Sequence, residues 1–154
     1  MRDRPQMPTG YGVAAEADGQ LDWPDVVRRL AAARNYWLCT TRPDGRPHAM
    51  PVWGLWLEDG VVFSTDPASR KGRNLADRPA AVIHLESGDD VVVLEGNVLQ
   101  FAGDRTAFAD AYHAKYDFRP DPGPTQGVYA MRPHVVLAWR EVDFPRSATR
   151  WVLG

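Results

Sequence analysis

The chain carries a single cysteine, Cys39, so an internal disulfide framework and a cysteine-based metal cluster are both excluded. Cys39 stands in Tyr36-Trp37-Leu38-Cys39-Thr40, an apolar setting suited to an inert buried thiol rather than a nucleophile. No apolar run approaches a membrane span and the N-terminus lacks a signal-peptide pattern, so no membrane partner is expected and the cytoplasm is the expected compartment. Positive charge is not in excess: the formal net charge is −2 over 154 residues, which leaves no broad basic face for nucleic acid. A G-x-G-x-x-G after a strand, a G-x-S-x-G elbow, a Walker loop and H-E-x-x-H are all missing. His84, His113 and His134 are scattered without metal-ligand spacing, and no metal site is expected.

What is present is ordinary for one globular domain: 44% hydrophobic and 25% charged residues. Residues 1–20 mix Pro, Gly, Ala and charge without periodicity and read as a flexible N-terminal arm that drapes over a partner subunit. Residues 21–154 read as the folded domain. Trp23-Pro24-Asp25 opens a helix that runs to Arg34-Asn35, and Asp104 caps a second that runs to Tyr116. Strands are expected over Tyr36–Arg42, Arg46–Leu57, Val61–Thr65, Ala80–Glu86 and Val91–Phe101. Three more follow at Gly127–Met131, Val135–Glu141 and the tail Thr149–Leu153. Gly96 inside a long strand marks a bulge or a close backbone approach. Phe118–Gly127, with three prolines and two glycines, reads as a loop. The count predicts a mostly β fold, a closed or nearly closed antiparallel barrel with two to three peripheral helices.

The stretch Arg46–Asn74 carries the functional signal. Its first segment is apolar on both faces, which predicts a buried strand, yet Pro47 and Pro51 interrupt it. Proline cannot donate to a ladder, so this strand belongs at an edge, with backbone groups left for another partner. A flat heterocycle with its own donors and acceptors would serve. Ser69 then reads as the N-cap of a helix to Asp77, whose first turn is Arg70-Lys71-Gly72-Arg73. Three cations at a helix start oppose the macrodipole, and an anion resting there reverses the sign of the effect; phosphate is the usual candidate.

These pieces, in order, resemble a known family: the flavin- and deazaflavin-binding split β-barrel oxidoreductases related to pyridoxamine 5′-phosphate oxidase. The resemblance spans Asp25 to Leu153. It rests on the opening helix, the hairpin at Pro43-Asp44-Gly45, Arg46-Pro47-His48-Ala49-Met50-Pro51-Val52-Trp53, Ser69-Arg70-Lys71-Gly72-Arg73-Asn74-Leu75, and Ala148-Thr149-Arg150-Trp151. It implies a homodimer with the cofactor in the groove between two barrels. Arg46, His48, Met50, Pro51, Val52 and Trp53 would then line the tricyclic ring. Thr65, Ser69, Arg70, Lys71 and Asn74 would hold the phosphate end, with Trp139, Arg150 and Trp151 reaching in from the other chain. The sequence departs from true pyridoxamine phosphate oxidases at Pro51, where they carry a phosphate-binding lysine, and at the closing Arg150-Trp151-Val152-Leu153, where they carry an Arg-Leu-His type motif. It is more similar to the branch that binds coenzyme F420, a 5-deazaflavin with a phosphate-linked acidic tail; FMN is the alternative.

The resemblance implies hydride transfer between reduced F420 and an unsaturated or conjugated small-molecule acceptor, with the cofactor carrying the chemistry. Solvent or a neighbouring group would move the proton; His48, Arg150 and Arg46 are the side-chain candidates. Two other readings stay open, an FMN-dependent oxidase of the same family and a non-catalytic carrier that shelters the cofactor.

Overall fold

The computed structural model describes all of residues 1–154. It is a single antiparallel sheet closed on itself, with helices at its periphery. Helix α1 (Trp23–Ala32) begins with Pro24 in its first turn, where the missing N–H costs nothing, and buries Val26 and Leu30. The barrel strands are β2 (Tyr36–Thr41), β3 (Pro47–Val52), β4 (Gly54–Leu57), β5 (Gly60–Ser64), β6 (Ala80–His84), β7 (Asp90–Gln100) and β8 (Val128–Arg140). Helix α2 (Arg70–Asp77) links β5 to β6, and α3 (Arg105–Tyr116) links β7 to β8. The chain ends with α4 (Phe144–Ser147) and β9 (Thr149–Val152), which pairs with β8.

Barrel closure depends on one switch of partner. β3 pairs with β2, which continues through β6 and β7 to β8, while β8 also pairs with β5 and β5 with β4. β3 and β4 are consecutive, so the ring closes through the covalent chain at Trp53-Gly54 rather than through a hydrogen-bonded seam. The expected single strand Arg46–Leu57 is therefore two strands. Alternation along β2 buries Tyr36, Leu38 and Thr40, which join the main core with Val61, Phe63, Leu94 and Met131. Each such side chain taken out of water stabilises the fold by about 1.5–3 kcal/mol before entropy is counted. A second cluster lies under α3, where Phe108, Tyr112 and Tyr116 pack on Leu55, Val62 and Val128.

Two further expectations change. The two late strands are one 13-residue strand, β8, running straight through Pro133. Pro133 stands opposite Gly96, at the register shift between Glu95 and Gly96, so its missing donor falls where the ladder is already interrupted. A Cβ on Gly96 would lie 2.9 Å from the Arg132 carbonyl oxygen, which makes the site a bulge and a close approach at once. The N-terminal residues do not leave the domain as an arm. β1 (Arg2–Asp3) adds to the sheet beside β9, the Met1 ammonium donates to the Val152 carbonyl, and Arg4 bonds the Ala148 carbonyl. The open edge of β9 offers unpaired backbone groups, and the nearest free segment satisfies them. No helix is long and apolar enough to cross a membrane.

Candidate functional site

β3 is the free edge of the sheet, bonded to β2 alone. The expectation that it is buried does not hold: Ala49, Met50 and Pro51 are exposed and only Val52 is covered. Met50 lies opposite the fully buried Leu38, yet is itself 46% exposed. His48, Met50 and Val52 share the inward face with Leu38 and Thr40, so the inner face of the barrel opens to the outside at this edge.

Helix α2 covers the adjoining part of that face. It packs against β2, and its fully buried Asn74 donates through Nδ2 to the Thr40 hydroxyl at 3.0 Å. Asn74, expected as a ligand contact, ties helix to sheet through Nδ2 and is fully buried, with its Oδ1 left without a partner. Ser69 caps the helix as expected, its Oγ accepting from the Gly72 N–H at 3.1 Å, with the Thr65 hydroxyl 3.4 Å away. Gly72 is required here: a Cβ would stand 2.5 Å from the Pro67 carbonyl oxygen and 2.6 Å from that of Asp66. The first turn thus lies tight against the loop that follows β5. It is held there while its side chains project outward.

The electrostatics of this corner are one-sided. Arg42, Arg70, Lys71 and Arg73 form no ion pair with any carboxylate, although most other arginines do. Burial, then Arg42, Lys71 and Arg70, hold the His48 imidazole below the usual histidine range, so it is neutral at pH 7. Its Nδ1 and the Nε of Arg42 are buried without a hydrogen-bond partner. Unpaired buried donors beside unpaired cations are costly in isolation, and an anion placed among them removes both costs. Arg42 was not legible as a site residue; the hairpin register, which turns it back toward His48 across Pro43-Asp44-Gly45, is the signal that finds it.

The remaining expected residues divide. Trp53 is 37% exposed at the end of β3, its ring stacked on Tyr116 at 4.7 Å between centroids. Arg46 is turned away, with its Nε 2.9 Å from Asp44 within its own hairpin. Trp151 is a core residue within one chain, 5% exposed and packed on Trp23 at 5.6 Å. Arg150 is paired with Asp3 at 3.0 Å, an ion pair made possible by the β1–β9 strand pairing. Trp139 is half-buried against Phe144, eleven positions along β8 from Val128, roughly 35 Å of strand away from the Thr65 corner. Within one chain the structure therefore brings His48, Met50, Pro51, Trp53 and the α2 start together, and leaves Arg46, Trp139, Arg150 and Trp151 elsewhere. Cys39 is half-buried, and burial pushes its thiol up, in keeping with an inert role.

The β3 edge lies open. Two recesses of about 590 Å3 each lie elsewhere, one beside Leu57, Leu99 and Phe101 and one beside Trp23 and Pro133. One chain supplies a floor, the β3 edge, and one wall, the first turn of α2.

Known proteins share this architecture. A pyridoxine/pyridoxamine 5′-phosphate oxidase of Acidothermus cellulolyticus is 36% identical over 107 residues, which cover 62% of this chain. The chain spans about half the length of that relative, the match covering 47% of it. Among solved structures, an F420 reductase superposes with a TM-score of 0.59 at 24% identity, over 71% of this chain and 93% of its own. A heme binding protein from Mycobacterium smegmatis gives 0.59 at 27% identity, over 73% of this chain and 51% of its own. A pyridoxamine 5′-phosphate oxidase-related, FMN binding protein from Nostoc punctiforme gives 0.55 at 20% identity, over 83% of this chain and 91% of its own. Residues 23–140, which hold the whole groove, match the family described as pyridoxamine 5′-phosphate oxidase. The chain belongs to that family.

Proposed function

We propose that the β3 groove binds coenzyme F420 and that the protein is an F420-dependent oxidoreductase acting as a homodimer on an unsaturated or conjugated small-molecule acceptor. The observation that carries this is the pairing of a free strand edge with four cations that have no carboxylate partner, Arg42, Arg70, Lys71 and Arg73. The edge offers outward backbone groups to a tricyclic ring, with exposed Met50 on its inward face and Pro51 and Trp53 on the other. Ser69, Arg70 and Lys71 hold the phosphate, and Arg73 is placed for the acidic tail. Four cations exceed what one phosphate needs, which favours F420 over FMN. When bound, the cofactor supplies the hydride.

The chain's own residues bind, orient and shield. His48, on the inward face of β3, is the side-chain candidate for holding or passing a proton; Arg46 and Arg150 are tied into ion pairs with Asp44 and Asp3. The exposure of Met50 supports an enzyme over a sheltering carrier, because neither the N-terminal strand nor the 118–127 loop of the same chain covers the ring position. A second chain would supply the missing wall.

The test is parallel titration of the purified protein with F420 and FMN, followed by ring fluorescence. Saturable binding of F420, tighter than FMN, is expected. A clear preference for FMN moves the protein to the FMN-dependent branch, and binding of neither removes the groove assignment.

A further inference from the structure

The switch of partner at Trp53-Gly54 leaves backbone groups that no ladder can satisfy, and α3 satisfies them. Gly54 N–H donates to the Tyr116 hydroxyl at 3.0 Å, and the Gly54 carbonyl accepts from Lys115 Nζ at 3.0 Å. The Tyr116 hydroxyl lies 2.7 Å from the Arg34 carbonyl oxygen and 2.9 Å from that of Gly54, and has one proton to give. Since Lys115 already serves Gly54, the Tyr116 proton goes to Arg34. Lys115 also donates to the Tyr36 hydroxyl at 3.1 Å, which in turn donates to the Leu30 carbonyl. Lys115 thus serves two acceptors and each tyrosine hydroxyl one, in a continuous network from the end of α1 through β2 and α3 to the strand switch. The Tyr116 ring also carries Trp53, stacked with 2° between the planes, with the Arg34 guanidinium 5.1 Å from the Trp53 centroid.

We infer that Lys115 and Tyr116 are positioning residues for the ligand groove: they fix where the chain leaves β3 for β4, and thereby set the β3 edge and the Trp53 ring that the ligand meets. This rests on the groove reading above. A glycine at 54 is part of the device. A Cβ there would stand 3.0 Å from the Val62 carbonyl oxygen and 3.4 Å from the Tyr36 ring, so the position has no side chain of its own to anchor the bend. The backbone amide is the only handle, and both its ends are taken by α3. Burial lowers the Lys115 amine to about 8. The groups facing it are Tyr36 from β2 and Tyr116 from its own helix, with no carboxylate among its partners.

The experiment compares F420 and FMN affinity for the wild type, Tyr116→Phe, Lys115→Met and a control, Val136→Ala, buried in the main core on β8. Tyr116→Phe keeps the ring that stacks on Trp53 and removes only the hydroxyl; Lys115→Met keeps the stem and removes the charge. Each is expected to raise Kd about tenfold for whichever cofactor the wild type binds, a loss of about 1.4 kcal/mol, while Val136→Ala, unfolding at a comparably lowered temperature, stays within about twofold. Affinities of both variants within about twofold of wild type, or an equal loss in the control, overturn the inference while leaving the groove in place. Wild-type protein that binds neither cofactor overturns both. Should Tyr116→Phe fail to fold, Lys115→Met decides alone.

Discussion

Arg70 and Lys71 have no carboxylate partner, and their charge bears directly on the first turn of α2. Replacing either with alanine should raise the cofactor Kd about tenfold, consistent with charge-assisted hydrogen bonds worth about 1.5–3 kcal/mol. The melting temperature should barely move, because neither side chain supports the core. Fluorescence titration beside a thermal melt checks both halves, and unchanged affinity in both variants removes the phosphate assignment. Lys115 makes a different residue-level prediction. Its amine, lowered by burial to about 8 from an ordinary 10.5, binds fewer protons folded than unfolded between those values. Stability therefore rises with pH across about pH 8 to 10, and the penalty of the buried charge is fully present below 8. Tyr36, Tyr112 and Tyr116, all raised by burial, hold their protons longer folded than unfolded, and their support fades above pH 10. Chemical denaturation at a series of pH values should show the rise in the wild type and not in Lys115→Met.

At the scale of elements, α2 decides the site because it is pinned at both ends of its first two turns. Asn74 bonds Thr40 in the core, and Gly72 lets the backbone close onto Asp66 and Pro67. Gly72→Ala forces backbone against backbone, so the helix start must shift, at about 1–3 kcal/mol. Cofactor affinity should fall with it, since Ser69, Arg70 and Lys71 ride on that turn. A lower urea midpoint with unchanged affinity would separate the helix position from ligand binding and count against the site. β3 shows the complementary case. Its apolar residues read as a buried strand because hydrophobicity along a chain cannot tell a strand covered by its own fold from one left open for a ligand or another chain.

For the whole molecule, the proposed site at the exposed β3 edge needs a second wall. The proposed homodimer would supply it, and sedimentation at micromolar concentration should then give about twice the 17.2 kDa chain mass. A monomeric mass would leave the ring unshielded and the proposed chemistry without a closed site. Trp139 lies at the far end of β8 within one chain, so it would meet the site only across the proposed dimer.

Much of this was written locally. The helix caps at Ser69 and Asp104, the bulge at Gly96, the hairpin at Pro43-Asp44-Gly45 and the cation-rich start of α2 depend on residues within a few positions of one another, and short-range chemistry fixed them without help. What depended on distant partners was decided only on folding. The sheet edge at β9 drew in Met1–Asp3; the bulge opposite Gly96 let β8 pass through Pro133; the ion pair with Asp3 took Arg150 out of play. The hairpin and α2 together put Arg42 beside His48, and the closing of the barrel at Gly54 drew on α3, some sixty residues later. A hydrogen bond or a counter-ion is satisfied by whatever lies near in space, and proximity between distant residues is a property of the closed barrel, absent from any single stretch of chain.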